Sequence, residues 1–151
     1  MGLVVVVVVV VVPQSALVPP QPKNVMEKLS VPTSIVERFN EAISAREVDA
    51  LESLMTDDHV FIDSAGGRTE GRAACVEAWP SFFAAFPDYR NHFDRIEALD
   101  DVVVVSGRSE CSTPELAGPA LWRAVVGQER IREWRVCEDT PGQRRAIGVW
   151  W

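Results

Sequence analysis

The feature that most constrains this chain is a change in the spacing of its apolar residues. Ile35, Phe39, Ala42 and Ile43 recur at helical spacing, with Glu37, Arg38 and Glu41 on the opposite side. Val48, Leu51, Leu54 and Met55 repeat the pattern over a shorter span that Thr56-Asp57-Asp58 ends. Val76, Trp79, Phe82, Phe83 and Phe86 form the apolar side of a third helix over about 72–86, in which Pro80 predicts a kink or a break. From Tyr89 onward the pattern is that of strands, over 89–98, 102–111, 120–126 and 131–138. Turns at Asp100-Asp101 and Gly127-Gln128, and a loop holding Pro114, Gly118 and Pro119, separate them. Helices first and antiparallel hairpins afterwards predict an α+β fold: a curved, mainly antiparallel sheet packed against three helices from the N-terminal half.

Local signals refine this outline. Ser34 with Glu37 three residues on is a capping-box pattern and predicts the start of the first helix. A strand over 59–63 runs into Ser64-Ala65-Gly66-Gly67, where positive φ is cheap and a hairpin can form. Asp139-Thr140-Pro141 reads as a cap with proline at the first position of a short helical turn. The domain is expected over 31–148, with 149–151 as a tail.

The first thirty residues differ in kind. Val4 to Val12 is an unbroken valine run, followed by Pro13, Pro19, Pro20 and Pro22. Leu3–Val12 falls short of the roughly 20 residues a helix needs to span a bilayer. It has no preceding Lys or Arg and no clean cleavage site after it, as a secretory signal would. The expectation is a disordered or spurious extension over 1–30, with Met26 as a natural start. A membrane anchor built from Leu3–Val12 is the competing reading.

Composition narrows the partners. With 151 residues, a net charge of −7 and 47% hydrophobic residues, one soluble globular domain is expected. The basic residues are scattered, which argues against nucleic acid or an anionic membrane as partner. Cys75, Cys111 and Cys137 are odd in number and lack metal-ligand spacing, so reduced thiols in the cytoplasm are expected, with no metal and no cofactor.

Several residues could carry chemistry. Asp63 is either an Asx-type turn cap or a general base at the mouth of an apolar pocket formed by Phe39, Trp79 and Phe83. His92 lies mid-strand, as a solvent-facing residue or a pocket acid or base. His59, beside two aspartates, is expected at the surface. Arg108 and Glu110 share one strand face, which either lines the pocket or meets solvent or a second copy, and alternation does not choose between the faces. Trp79, Phe83, Trp122 and Trp134 supply apolar wall or core, and Cys137 is expected to be buried and inert.

The order of elements resembles the SnoaL-like proteins of the nuclear-transport-factor-two-like superfamily, with ketosteroid isomerases and limonene-epoxide hydrolases. The resemblance covers about 34–140. It rests on Phe39, Ala45, Val48-Asp49-Ala50-Leu51, Asp57-Asp58, Phe61-Ile62-Asp63, Gly71-Arg72, Phe86-Pro87-Asp88 and Arg130-Ile131-Arg132-Glu133-Trp134-Arg135. It implies that Asp63 sits where the isomerase base sits, whereas Phe39 occupies the position of the oxyanion-hole tyrosine and the partner acid falls near Leu121. Steroid isomerisation is therefore not expected. Arg108-Ser109-Glu110 is similar to the hydrolase Arg-x-Asp step, but its other carboxylate falls near Val136, two residues before Glu138.

The resemblance implies that the curved sheet is cone-shaped and that the protein is a SnoaL-like homodimer that binds a small apolar organic molecule. Cyclase- or isomerase-type acid–base chemistry would use Asp63 as base, with His92 and Glu138 relaying the proton and Arg108 and Glu110 orienting substrate. A non-catalytic binding or dimerisation module and an epoxide hydrolase-like enzyme are the alternatives.

Overall fold

The computed structural model of the chain describes residues 20–151, and side chains from residue 31 on. The valine run and the anchor reading of Leu3–Val12 lie outside the described residues. Helix α1 (Pro20–Ala45) leads into α2 (Val48–Ser53) and strand β1 (Met55–Ile62). After β2 (Arg68–Glu70) comes α3 (Arg72–Ala85), and then β3 (Arg90–Leu99), β4 (Val102–Glu110), β5 (Gly118–Gly127) and β6 (Arg130–Glu138). A short helix α4 (Pro141–Ile147) follows.

The strands form one six-stranded open sheet in the order β2-β1-β6-β5-β4-β3. Every pairing is antiparallel except β1 with β6. The fold class is thus the expected α+β. Pro32–Trp151 forms one compact unit, and its core joins helix residues Ile35, Val36, Phe39 and Ile43 to sheet residues Val103, Val105, Trp122 and Trp134.

Four local expectations need correction. The first helix does not begin at Ser34: α1 already runs from Pro20, and Ser34 is an exposed residue inside it. Residue types suited to a cap are also tolerated on a helix's solvent side, so the pattern alone did not mark an end. Pro80 does not break α3, which continues to Ala85. The first strand begins at Met55, because Thr56, Asp57 and Asp58 extend it while a bulge against β6 absorbs the extra residues. The last hairpin turns at Gln128 and Glu129, both with positive φ, between paired Gly127 and Arg130.

That bulge also overturns the surface reading of His59. The side chain is wholly buried, with Nδ1 2.7 Å from the Ile131 carbonyl and its ring 5.8 Å from that of Phe39. The flanking acids point outward while the imidazole turns into the core.

A second bulge, between Phe93 and Arg95 on β3, decides which residues of the outer strands look inward. Gly107 pairs with Phe93 there, and a Cβ at this glycine would collide with the His92 carbonyl. Only glycine lets the two backbones approach this closely. Val104, Leu121 and Cys137 form a separate buried cluster with Ile147 and Val149 of the C-terminal segment. Trp151 packs on that cluster and donates from Nε1 to Ser106 Oγ at 3.0 Å. Thr140 caps α4 by accepting from the Gln143 amide at 3.1 Å, as its sequence signature predicts.

Candidate functional site

A cavity of about 620 Å³ lies between α3 and the inner face of the sheet. Its walls follow from the strand register. Val105 pairs with Trp122 and Trp122 with Val136; Ala124 pairs with Trp134. Alternation then places Gly107, Ser109, Gly118 and Ala120 on the same face toward one end, where their small side chains leave space.

Six aromatic side chains, Phe61, Trp79, Phe82, Tyr89, Trp122 and Trp134, stand in the lining. Trp79 of α3 meets Phe61 of β1 edge-on at 5.7 Å and Phe82 at 5.6 Å, and Phe82 in turn meets Tyr89 at 5.0 Å. Phe83 and Phe39 stand behind this wall. Phe83 stacks on Trp79 at 5.3 Å, and Phe39 packs on Trp134 at 4.6 Å. These two sequence candidates support the lining and do not form part of it.

One strip of the lining is polar. Asn91 and Ser109 face each other across β3 and β4, and Ser109 Oγ donates to Asn91 Oδ1 at 3.0 Å. Tyr89 Oη lies 3.2 Å from the same Oγ. With the serine proton committed to Asn91, the tyrosine O–H is the donor in this second bond, leaving its oxygen lone pairs free. Burial pushes the Tyr89 phenol above its ordinary range, with the Ser109 bond acting the other way, so it holds its proton at neutral pH. Asn40 of α1 ties the strip to the helices by donating to the Asn91 carbonyl at 3.3 Å. A further polar atom, the indole Nε1 of Trp122, is buried in the wall with no hydrogen-bond partner among the described residues.

Asp63, Glu115 and Glu138 add carboxylates to the lining. Asp63 follows the end of β1, and its Oδ1 accepts from the amides of Ala65 at 2.9 Å and Gly67 at 2.8 Å. The backbone closes the same turn, with Asp63 N donating to the Gly67 carbonyl at 2.9 Å. Asp63 is therefore both turn-bonded and part of the cavity lining.

The charged candidates of β3 and β4 lie elsewhere. His92 and Arg108 pair across β3 and β4 on the face opposite to Asn91 and Ser109. Glu110 joins them there, 3.5 Å from His92 Nε2, while Arg108 reaches Asp94 at 4.0 Å. Leu121 lies in the cluster beneath α4, and Val136 faces the cavity across from Trp122. The structure thus brings Asp63, Trp79, Trp122, Trp134 and Glu138 together and leaves His92, Arg108 and Glu110 on the outer face. Sequence reading passed over Tyr89, Asn91 and Ser109. Their only signal was strand alternation, which pairs them as a set but does not say that the set faces inward.

Burial pushes the His59 imidazole below its ordinary 6.5, while its bond to the Ile131 carbonyl and the charge of Asp58 act in the other direction. Nδ1 donates to that carbonyl, and Nε2 has no partner among the described residues. His59 does not line the cavity. No cluster of His, Cys, Asp or Glu among the described residues could hold a metal ion. None of their helices is long and apolar enough to cross a membrane.

Comparison with known proteins places this geometry. Residues 36–139 match the SnoaL-like domain family. No curated protein sequence matches the chain. Among solved structures, an epoxide hydrolase of M. tuberculosis, described as LEH-like, superimposes with a TM-score of 0.65 at 17% identity over 79% of this chain and 90% of that one. A candidate polyketide cyclase from Sinorhizobium meliloti gives 0.63 at 21% identity over 68% of this chain and 93% of that one. A protein of ketosteroid isomerase-like fold from Catenulispora acidiphila, in complex with trimethylamine, gives 0.62 at 16% identity over 77% and 93% respectively. At these identities the likeness is one of fold.

Proposed function

The chain belongs to the SnoaL-like domain family, and from that premise we propose that it binds a small, largely apolar organic molecule in the cavity beside α3 and moves a proton on it. The observation that carries the reading is the cavity itself, about 620 Å³ with aromatic walls and one polar strip, a size and lining suited to a small organic ligand. Its carboxylates supply the acid–base group. Asp63 is held at Oδ1 by the turn amides, which fixes the orientation of Oδ2, and Glu138 stands on the neighbouring strand end. This is the cyclase- or isomerase-type version of the reading, with Asp63 as the proton acceptor.

A non-catalytic binding domain is the second reading. Phe39 in the core and Leu121 beneath α4 favour it, since neither can donate a hydrogen bond to a developing oxyanion. A screen of neutral aromatic and alicyclic ketones, alcohols and esters separates the two. Turnover abolished by Asp63→Asn with ligand binding retained supports proton transfer; binding without turnover in the unaltered protein supports the binding domain. Absence of any ligand that competes within the cavity refutes both.

We further propose a cytoplasmic homodimer that pairs through the outer face of the sheet. His92, Arg108 and Glu110 are available to such a contact. Sedimentation velocity tests this: a monomer at tens of micromolar refutes it.

A further inference from the structure

Resting on the small-molecule reading above, we propose that Asn91 is a specificity-determining residue whose side-chain amide N–H donates to an oxygen of the ligand. The ligand class is thereby narrowed to neutral molecules bearing an acceptor oxygen such as a carbonyl. Asn91 is 6% exposed and lines the cavity beside its β4 partner Ser109. Its side-chain oxygen and its backbone carbonyl are engaged: Oδ1 accepts from Ser109 Oγ at 3.0 Å, and the carbonyl accepts from Asn40 at 3.3 Å. Nδ2, by contrast, makes no hydrogen bond with the described residues. Unlike the indole nitrogen of Trp122, it is not sealed off and keeps accessible surface. That surface opens into the cavity, because Asn91 and Ser109 stand on the inner face of the sheet and His92 and Arg108 on the outer one.

An amide nitrogen only donates, so the partner it lacks is an acceptor. A ligand that covers such a donor without accepting from it leaves it dry and loses affinity. The surroundings indicate where that acceptor would sit. Burial raises the Tyr89 phenol, while Ser109 and Asn91 act to lower it; from Asn91, that direction is the mark of an N–H on the side of the phenolic oxygen. Nδ2 and Tyr89 Oη therefore border the same part of the lining. Across Ser109 on β5 stands Gly118, which has no side chain, so space is left beside the strip. A ligand ring can lie against the aromatic wall while its oxygen meets Nδ2. Among the described residues the lining holds no Lys, Arg or His, and it includes Asp63, Glu115 and Glu138, so a neutral acceptor fits better than a carboxylate or phosphate. Asn91 thus supplies from β3 a donor that neither Phe39 in the core nor Leu121 beneath α4 can provide.

The test compares 1-indanone with indane, two molecules of nearly the same shape that differ in one carbonyl oxygen. Affinities are measured by calorimetry on the full chain and on Asn91→Leu, which removes the amide and keeps its bulk. Without a donor in the cavity the ketone would bind more weakly than the hydrocarbon, since its carbonyl gives up water. The expected result is instead a tenfold or greater preference for indanone in the unaltered protein, about 1.4 kcal/mol, that disappears in Asn91→Leu while indane affinity holds. A merely structural role would weaken both ligands alike and leave their ratio unchanged. Equal affinities in the unaltered protein, or a preference that survives the substitution, overturn the inference and leave the binding reading standing. Where another member of the screen binds and indanone does not, the same comparison is made with that compound and its deoxygenated parent. If no member of the screen binds, the binding reading itself falls, and the inference with it. Should Asn91→Leu fail to fold, the assigned side-chain amide resonances of Asn91 in the unaltered protein decide. A downfield shift of one amide proton with indanone and none with indane supports the bond, and equal shifts overturn it.

Discussion

Replacing Asp63 asks whether the turn or the cavity governs this carboxylate. Two backbone amides, of Ala65 and Gly67, donate to Oδ1, and the turn they belong to is exposed. Bonds to a charged acceptor lie toward the strong end of the usual range, but here the freed amides can turn to water instead of being left dry. Asp63→Ala should therefore cost about 1–2 kcal/mol. Asp63→Asn keeps an acceptor oxygen and loses the charge, so about 0.5–1 kcal/mol is expected. For a folded unit of about 120 residues, Pro32–Trp151, this Ala effect corresponds to a Tm lower by roughly 4–8 °C. Equilibrium unfolding in urea is the assay, with a lower midpoint and an unchanged slope as the expected outcome. Gly67 provides an internal check, because a Cβ there would sit 2.6 Å from Asp63 Oδ2. Gly67→Ala should displace the carboxylate, so its cost and that of Asp63→Ala should sum to less when combined. The reasoning is refuted if Asp63→Asn proves as stable as the parent or more so. That result would mean the carboxylate carries a desolvation penalty the turn bonds do not offset, as a base in an apolar pocket would.

Other expected outcomes concern the buried polar groups and the C-terminal segment. Ser109→Ala removes the donor to Asn91 and the acceptor for Tyr89, so a loss of about 1–3 kcal/mol is expected in urea unfolding; Tyr89→Phe, which leaves the Ser109–Asn91 bond in place, should cost less, about 0.5–1.5 kcal/mol. His59 should make stability fall in mild acid. Its folded pKa is pushed below 6.5, so the unfolded chain binds the proton more readily; the stability it permits is complete above about pH 6.5 and declines as pH drops from there through the lower folded value. His59→Leu should flatten that part of the unfolding profile, and an unchanged slope would refute the assignment. Ile147→Ala, which empties part of the cluster beneath α4, should cost about 2–4 kcal/mol and hasten proteolysis of the C-terminal segment. Equal proteolysis rates would show that this cluster does not hold the segment down.

Much of the fold was legible because periodicity is a local property. Helical spacing at Phe39 and Ile43 and at Trp79 and Phe83, and strand patterning from Tyr89, give element types without any knowledge of contacts. Element ends were harder to read, as at Ser34 and at Thr56–Asp58, where polar residues could mark a boundary or an exposed side. The site was legible in part. Asp63 and several tryptophans drew notice by residue type, and Asp63, Trp79, Trp122 and Trp134 lie in the cavity lining. His92 drew notice by type as well, yet its neighbour Asn91 holds the inward position.

What the sequence determined by itself is therefore the series of helices and strands, the α+β class, the hairpin at Gly66-Gly67 and the cap at Thr140, all of which depend on residues close in the chain. Tertiary structure alone decided which face of each strand looks inward. A period of two sorts residues into two sets but treats them alike, and the choice between the sets comes from partners far along the chain. The bulges in β1 and β3 carry that choice here. One accompanies the turning of His59 into the core, and the other accompanies the placing of Asn91 and Ser109 against the cavity while His92 and Arg108 go to the outer face. The buried indole nitrogen of Trp122, without a partner among the described residues, belongs to the same category, since such a lack is a property of packing and leaves no trace in the order of residues.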